Sequence, residues 1–563
     1  MINLKEKPFY LSEEDIKWVE TTIDNMTIEE KIGQLFCPIG MSADENYLKN
    51  VILRKHIGGI LFRNGEGSEM QKTHNFLQEN SKIPLLIAAN LEAGGDGTAV
   101  DGTAYGKQMQ VAATDDTEYA YKLGKISCSE GAAVGCNWAF APVVDIDMNF
   151  RNPITNVRTY GNDPEKVLAN GLEYLRAAKE CNVAVSIKHF PGDGVDERDQ
   201  HLLTSVNTLS CEEWDKTFGK VYKGLIEAGA LTTMIGHIAM PAYQKKLNPE
   251  LGDKIVPATL SKELVTGLLR EKLGFNGMII TDATPMVGFT VAMERELAVP
   301  TAIAIGCDMF LFNKDLDEDY DFMMNGYKKG IITEERLTDA LTRILATKAS
   351  LKLHEAQSNN TLTKGKEELK VLRSKEHLEW ACDCADNSIT LVKDTQKLLP
   401  ISSDKHKKVL LEILGNGESN ERVYKKVKER LIDEGFQVFD YIPEISIDVR
   451  FDNCADIKKK YDLVLYIGNI ENASNKTVSR INWHTFFGAG NNLPWFVEEV
   501  PTMFISVANP YHLLDVPMIK TYINCYSNNE FVLEKVIDKI LGKSQFKGVN
   551  PIDPFCGRED TKY

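Results

Sequence analysis

The stretch Lys188-His189-Phe190-Pro191-Gly192-Asp193-Gly194-Val195-Asp196-Glu197-Arg198-Asp199-Gln200-His201 sets the reading of the whole chain. Ahead of it lies Val183-Ala184-Val185-Ser186-Ile187, a short apolar run that reads as a buried strand. Lys188 and His189 stand where that strand would end, and Pro191-Gly192 and Gly194 then open a loop. The loop carries Asp199 and His201, and side chains at i and i+2 of an extended or turning backbone lean to one side. A carboxylate beside an imidazole orients the ring for taking and giving protons near neutral pH. On spacing alone three readings stand: a surface pair, metal ligands together with His189, or an acid/base dyad. No cysteine or second close-spaced histidine completes a familiar ligand pattern, so no metal is expected.

Working outward, similar apolar runs recur at 35–39, 59–62, 84–89, 138–144, 233–236, 277–280 and 309–312, with helical patterning between them. With 183–187 they make about eight strands in βα alternation, which predicts an α/β fold with a TIM-like (β/α)8 barrel. Polar residues follow the runs: Asn90 and Glu92, Asp145 and Asp147, Lys188 and His189, His237, and Asp282. Barrels of this kind gather their active sites at the carboxyl ends of the strands, so these positions point to one pocket. Ser12 before Glu13-Glu14-Asp15, and Thr27 three residues before Glu30, are expected helix caps.

The barrel is expected over residues 1–355, a helical connector over 356–386, and a smaller α/β sandwich over 387–563. Its expected strands are 408–414, 437–439, 463–467 and 503–507, with a helix over 423–434. Gly415-Asn416-Gly417 follows a strand but lacks the spacing of a phosphate loop. Asn491, Asn492 and His484 lie in a Gly-containing stretch with no assigned role.

At 563 residues the chain is too long for one ordinary core. Its 81 acidic and 65 basic residues leave a net charge of −16, which repels nucleic acid and anionic lipid. No apolar run reaches the roughly 20 residues of a membrane helix, and the first residues carry no secretory pattern. The eleven cysteines are scattered, and buried reduced thiols in a cytoplasmic protein, monomer or homodimer, are the expectation.

The phrase Lys-His-Phe-Pro-Gly-x-Gly, four residues, then Asp-x-His resembles the signature of the glycoside hydrolase family 3 β-N-acetylhexosaminidases, the NagZ-like subgroup. The likeness of order and content extends over nearly the whole chain. It implies that His201 is the general acid/base, that Asp199 supports it, and that Asp282 is the nucleophile at the end of Gly277-Met278-Ile279-Ile280-Thr281. Lys188, His189, Arg158, Asn90, Glu92 and His237 are then expected around the sugar, with no cofactor. The substrate implied is a terminal β-linked N-acetylhexosamine, most simply N-acetylglucosamine. Three departures stand out. Relatives usually carry His or Arg at Asp193, Asp at Asn90, and a second Asp at Ala283. They keep two rivals open: a phosphorylase, whose acceptor anion a histidine acid/base does not repel, and a barrel that binds sugar without cleaving it.

Overall fold

The computed structural model describes every residue except Met1, Asn416, 443–445, 447–451, 487, 488 and 491; Asn416 and Asn491 thus lie outside the described residues. The chain divides into two compact units, one of residues 1–105, 120–149 and 163–378, the other of residues 106–119, 150–162 and 379–563.

In the first unit the apolar runs become β1 (Phe36–Cys37, continued by Ile39–Gly40), β2 (Gly59–Phe62), β3 (Leu86–Ala89), β4 (Trp138–Ala139), β5 (Ala184–Phe190), β6 (Thr232–Ile235), β7 (Met278–Thr281) and β8 (Phe310–Leu311). Each pairs in parallel with the next in chain order from β1 to β7. A bridge from Ile280 to Met309 joins β7 to β8, and β8 pairs with β1, so the ring closes. The strands read as uninterrupted apolar runs because the filled barrel and the helices outside bury both faces. The run 138–144 is longer than β4 because Pro142 has no N–H for the ladder. Beyond it, Val144 N–H still reaches Lys188 O at 2.8 Å, which keeps the end of that run beside β5.

The predicted caps are present. Ser12 and Thr27 each form a capping box, with Asp15 and Glu30 respectively, and Thr333 caps the helix Glu334–Ser350.

The second unit holds a six-stranded sheet of β9 (Thr390–Asp394), β10 (Lys408–Leu414), β11 (Gln437–Asp440), β12 (Leu463–Gly468), β13 (Thr502–Ser506) and β14 (Thr521–Asn524), in the order β9-β14-β13-β12-β10-β11. Only the edge strand β9 runs antiparallel. Strand residues alternate between two cores: Val409 and Leu411 face the helices Asn420–Asp433 and Glu530–Ile540, while Leu410 and Leu414 face Tyr466, Phe496 and Phe504. Six of the eleven cysteines are buried and none is paired; Cys454 is exposed, which corrects the expectation of uniformly buried thiols. Among the described residues no helix is long and apolar enough to cross a membrane.

One barrel residue opposes folding. Lys348, on the helix Glu334–Ser350, is wholly buried, its Nζ 2.7 Å from Gln34 Oε1, and burial pushes its ammonium down from 10.5 to about 7. With the folded pKa below the unfolded one, the penalty is absent above pH 10.5, grows as pH falls, and is complete below pH 7. Lys348→Met is therefore expected to stabilise the protein at pH 7 by roughly 1–3 kcal/mol, after losing the Gln34 hydrogen bond. The gain should shrink toward pH 10. Thermal unfolding of both proteins at the two pH values checks it.

Candidate active site

The site grows from the end of β5. Lys188 places Nζ 2.6 Å from Glu92 Oε1, tying β5 to the loop after β3. The Lys188–His189 peptide is cis. Beside it, the buried carboxylate of Asp145 receives three N–H donors: His189 Nδ1 at 2.7 Å, His189 N at 3.0 Å and Asp193 N at 2.8 Å. Because an ionised carboxylate only accepts, the His189 proton sits on Nδ1, and Nε2 turns toward Asp282 Oδ2 at 4.0 Å.

Asn90 is exposed, and Glu92 half-buried, on the loop after β3. The backbone there admits no side chain at two glycines. Gly94 has φ +146°, and a Cβ on Gly95 would lie 2.0 Å from Glu130 Oε2. Glu130 is buried; its Oε2 accepts from Thr103 N at 2.7 Å and its Oε1 from Thr103 Oγ1 at 2.6 Å, with His377 Nδ1 2.7 Å from that same Oε1.

On the loop after β5, Asp199 Oδ1 accepts from His201 N at 2.9 Å and from His201 Nδ1 at 2.7 Å. Asp199 is buried while the His201 ring stays about a quarter exposed. The bond to Asp199 fixes the tautomer and leaves Nε2 as the atom that can exchange a proton. The loop is pinned along its length: Val287 N donates to His201 O at 3.0 Å, Thr204 Oγ1 to Gly288 O at 2.9 Å, and Ser205–Val206 pairs with Ile238–Ala239.

Asp282 ends β7. Its N–H donates to Ile235 O at 2.8 Å, and its Oδ1 accepts from Ala283 N at 2.7 Å. Burial alone would raise its pKa, but the rings of His189, His237 and His201 and the Ala283 N–H outweigh that and hold it below 3.8. The structure therefore brings Asp282 and His189 together, with His201 in the same electrostatic field, and sets Lys188 and Glu92 beside them.

His237 requires a correction. Its ring is fully buried, with Nδ1 2.9 Å from Thr259 Oγ1 and Nε2 3.0 Å from Ala283 O. Burial lowers its pKa, and both ring nitrogens are engaged, with none left for a sugar. It braces the backbone next to Asp282. Arg158 lies on the short turn Asn156–Arg158, in the segment 150–162 of the second unit. Asp199, His201 and His189 do not form a metal cluster. Among the described residues the one candidate group is Asp15, His354 and Glu355, and there the Lys352 ammonium already lies 2.7 Å from Asp15 and 3.0 Å from Glu355.

Two supporting residues have no role assigned from the sequence. Asp145 is marked there only by its place after an apolar run. Glu130 sits mid-helix and carries no such signal.

The N-terminal domain of glycosyl hydrolase family 3 matches residues 27–347. The chain belongs to glycosyl hydrolase family 3. A beta-N-acetylglucosaminidase/beta-glucosidase from Cellulomonas fimi is 44% identical over 568 residues, covering 100% of both chains. Among solved structures, beta-glucoside phosphorylase BglX matches with a TM-score of 0.94 at 44% identity over 99% of each chain. A family 3 beta-N-acetylglucosaminidase from Paenibacillus sp. matches at 24% identity and TM-score 0.78, over 94% of this chain and 99% of that one, and speaks to the fold alone. This family 3 chain is a glycosidase that removes β-linked sugars.

The depressed pKa of Asp282 fixes the sign of a pH effect. The carboxylate stays ionised further into acid than an ordinary one, so the acidic limb of kcat/KM should fall below pH 3.8. His189→Ala removes the largest favourable charge on it and is expected to move that limb to higher pH. Initial-rate profiles of the two proteins on one aryl glycoside check it.

Proposed function

We propose that the enzyme cleaves terminal β-N-acetylhexosaminides, N-acetylglucosamine first among them, with retention of configuration. The observation that carries this reading is the Asp199–His201 pair at 2.7 Å on a pinned loop, together with an Asp282 carboxylate held ionised. In the first step Asp282 attacks the anomeric carbon, the bond to the aglycone oxygen breaks, and His201 Nε2 gives that oxygen its proton. In the second, a water surrenders a proton to His201 Nε2 and attacks the same carbon, and Asp282 leaves as a carboxylate. Asp199 keeps Nδ1 protonated through both steps, so every exchange passes through Nε2. Lys188, His189, Asn90 and Glu92 bind sugar hydroxyls. His237 acts by holding Ala283.

This chemistry belongs to the barrel of residues 1–355, with 356–386 as connector and 387–563 as companion domain. Eleven unpaired cysteines support a cytoplasmic setting.

One observation favours a second reading: the full-length likeness, at 44% identity, to a beta-glucoside phosphorylase. Here phosphate would replace water in the second step. A His201 that is neutral once its proton has left puts no carboxylate charge against an incoming anion, as a glutamate would.

The test is release of nitrophenol from the β-N-acetylglucosaminide, β-N-acetylgalactosaminide and β-glucoside, with and without phosphate. Asp282→Ala should lower turnover on the order of 10⁴-fold or more, and His201→Ala by ~10²–10⁴-fold. A phosphate-independent free sugar supports hydrolysis; a sugar 1-phosphate, with turnover that scales with phosphate, supports the second reading. Turnover of none of the three, or turnover that survives Asp282→Ala, overturns both.

A further inference from the structure

Between Asp199 and His201 stands Gln200, whose side chain is buried, with 2% of its surface exposed. Its carboxamide lies between two fixed partners. Oε1 accepts from His237 N at 2.7 Å, and Nε2 donates to Asp193 Oδ2 at 3.2 Å. Those partners settle which end is oxygen, since a backbone N–H needs an acceptor and an ionised carboxylate needs a donor. Asp193 is itself buried and fixed at both ends. Its N–H goes to Asp145 at 2.8 Å, and its Oδ1 accepts from Gly194 N at 2.7 Å. On the other side His237 continues the chain through Nε2 to Ala283 O, next to Asp282.

The bonds thus run Asp145, Asp193, Gln200, His237, Ala283, and connect the end of β4 to the end of β7 through the middle residue of the dyad. Gln200 O also accepts from Gly288 N at 3.2 Å, so backbone and side chain are held independently. Asp199–Leu202 is a turn closed by Leu202 N on Asp199 O at 3.0 Å, so anchoring the Gln200 side chain inward holds the turn that carries Asp199 and His201.

We propose that Gln200, held by Asp193, is a positioning residue that sets His201 Nε2 at the leaving oxygen. This rests on the reading of His201 as acid/base. Asp193, one of the departures from the family pattern, is then an anchor for the loop. Proton donation depends on geometry at the scale of one hydrogen bond, so a loosened loop should fail first where the proton matters most. A leaving group that departs as a stable anion needs no proton, whereas a poor one does.

The experiment compares kcat/KM for 2,4-dinitrophenyl and 4-methoxyphenyl β-glycosides of whichever sugar the wild type turns over, in wild type, Gln200→Met, Asp193→Asn and His201→Ala. Methionine keeps the length and removes both hydrogen bonds; asparagine at 193 offers Gln200 a donor where it had an acceptor. Expected for Gln200→Met is a loss of about 30-fold or more on the methoxyphenyl substrate and under about 3-fold on the dinitrophenyl one, with Asp193→Asn showing the same asymmetry at smaller size. His201→Ala should show it most strongly. A merely structural role would lower both substrates alike. If Gln200→Met folds poorly, the ratio of the two substrates is still read on Asp193→Asn, because that ratio is independent of the folded fraction. Equal losses on both substrates in both variants, or no loss, overturn the proposal while His201→Ala stays asymmetric. A symmetric His201→Ala instead overturns the acid/base reading itself.

Discussion

The site depends on one buried carboxylate. Asp145 is held by three N–H donors from a single turn of chain, two from His189 and one from Asp193. Such a group is costly to bury and becomes tolerable only when its oxygens are filled, so the fold around it is specified rather than merely permitted. Shifting the end of β5 by one residue would orphan the carboxylate and two or three donors at once, at about 1–3 kcal/mol each. The same three bonds that satisfy Asp145 therefore aim His189 at Asp282 and start the loop that ends in His201.

Barrel and site are coupled through this point in a definite direction. Parallel strands buried on both faces carry only small hydroxyl side chains such as Ser186, Thr232 and Thr233 along their length, so charged groups collect where the strands stop. There the low dielectric that makes an unpaired charge expensive also strengthens every paired one. Asp282 shows the balance. Burial works against its ionisation, three imidazoles and a backbone N–H work for it, and the second set prevails. Asp282 is kept ionised by its surroundings rather than by a single partner, which suits the nucleophile's role proposed for it, where the charge vanishes into an ester and returns.

The fold was legible because its signal is repeated. Eight apolar runs at βα spacing survive any one misplaced boundary; the runs at 59–62 and 408–414 became strands at their expected limits, and the run at 84–89 became one that starts two residues later. Where the outline slipped, the reason is local: Pro142 cuts the strand at 138–139, and β14, only four residues long and containing Thr521 and Asn524, has too little apolar pattern to register. That Lys188, His189 and Asp282 stand at strand ends was legible from the apolar runs. Their partners were not. Nothing in a sequence says that the His237 ring is filled by Thr259 and Ala283, or that Gln200 reaches Asp193 and His237, because those bonds are made between residues distant in the chain.

The departures from the family pattern look unrelated in sequence, but they share a direction in space. Two positions where relatives carry acids are uncharged here: Asn90, exposed at the rim, and Ala283, beside Asp282. The one added acid, Asp193, is buried against the underside of the loop and occupied by Gly194 N and Gln200 Nε2. Negative charge has left the surfaces that a sugar or an attacking species would meet and has moved beneath them, where N–H donors absorb it. The exchange leaves Asp282 with no acid next to it in the chain, so the field of those rings is not shared with a carboxylate at 283. An acid at 283 would have competed for the same positive charge and raised both pKa values. With alanine there, the balance that keeps Asp282 ionised is easier to hold in a buried setting.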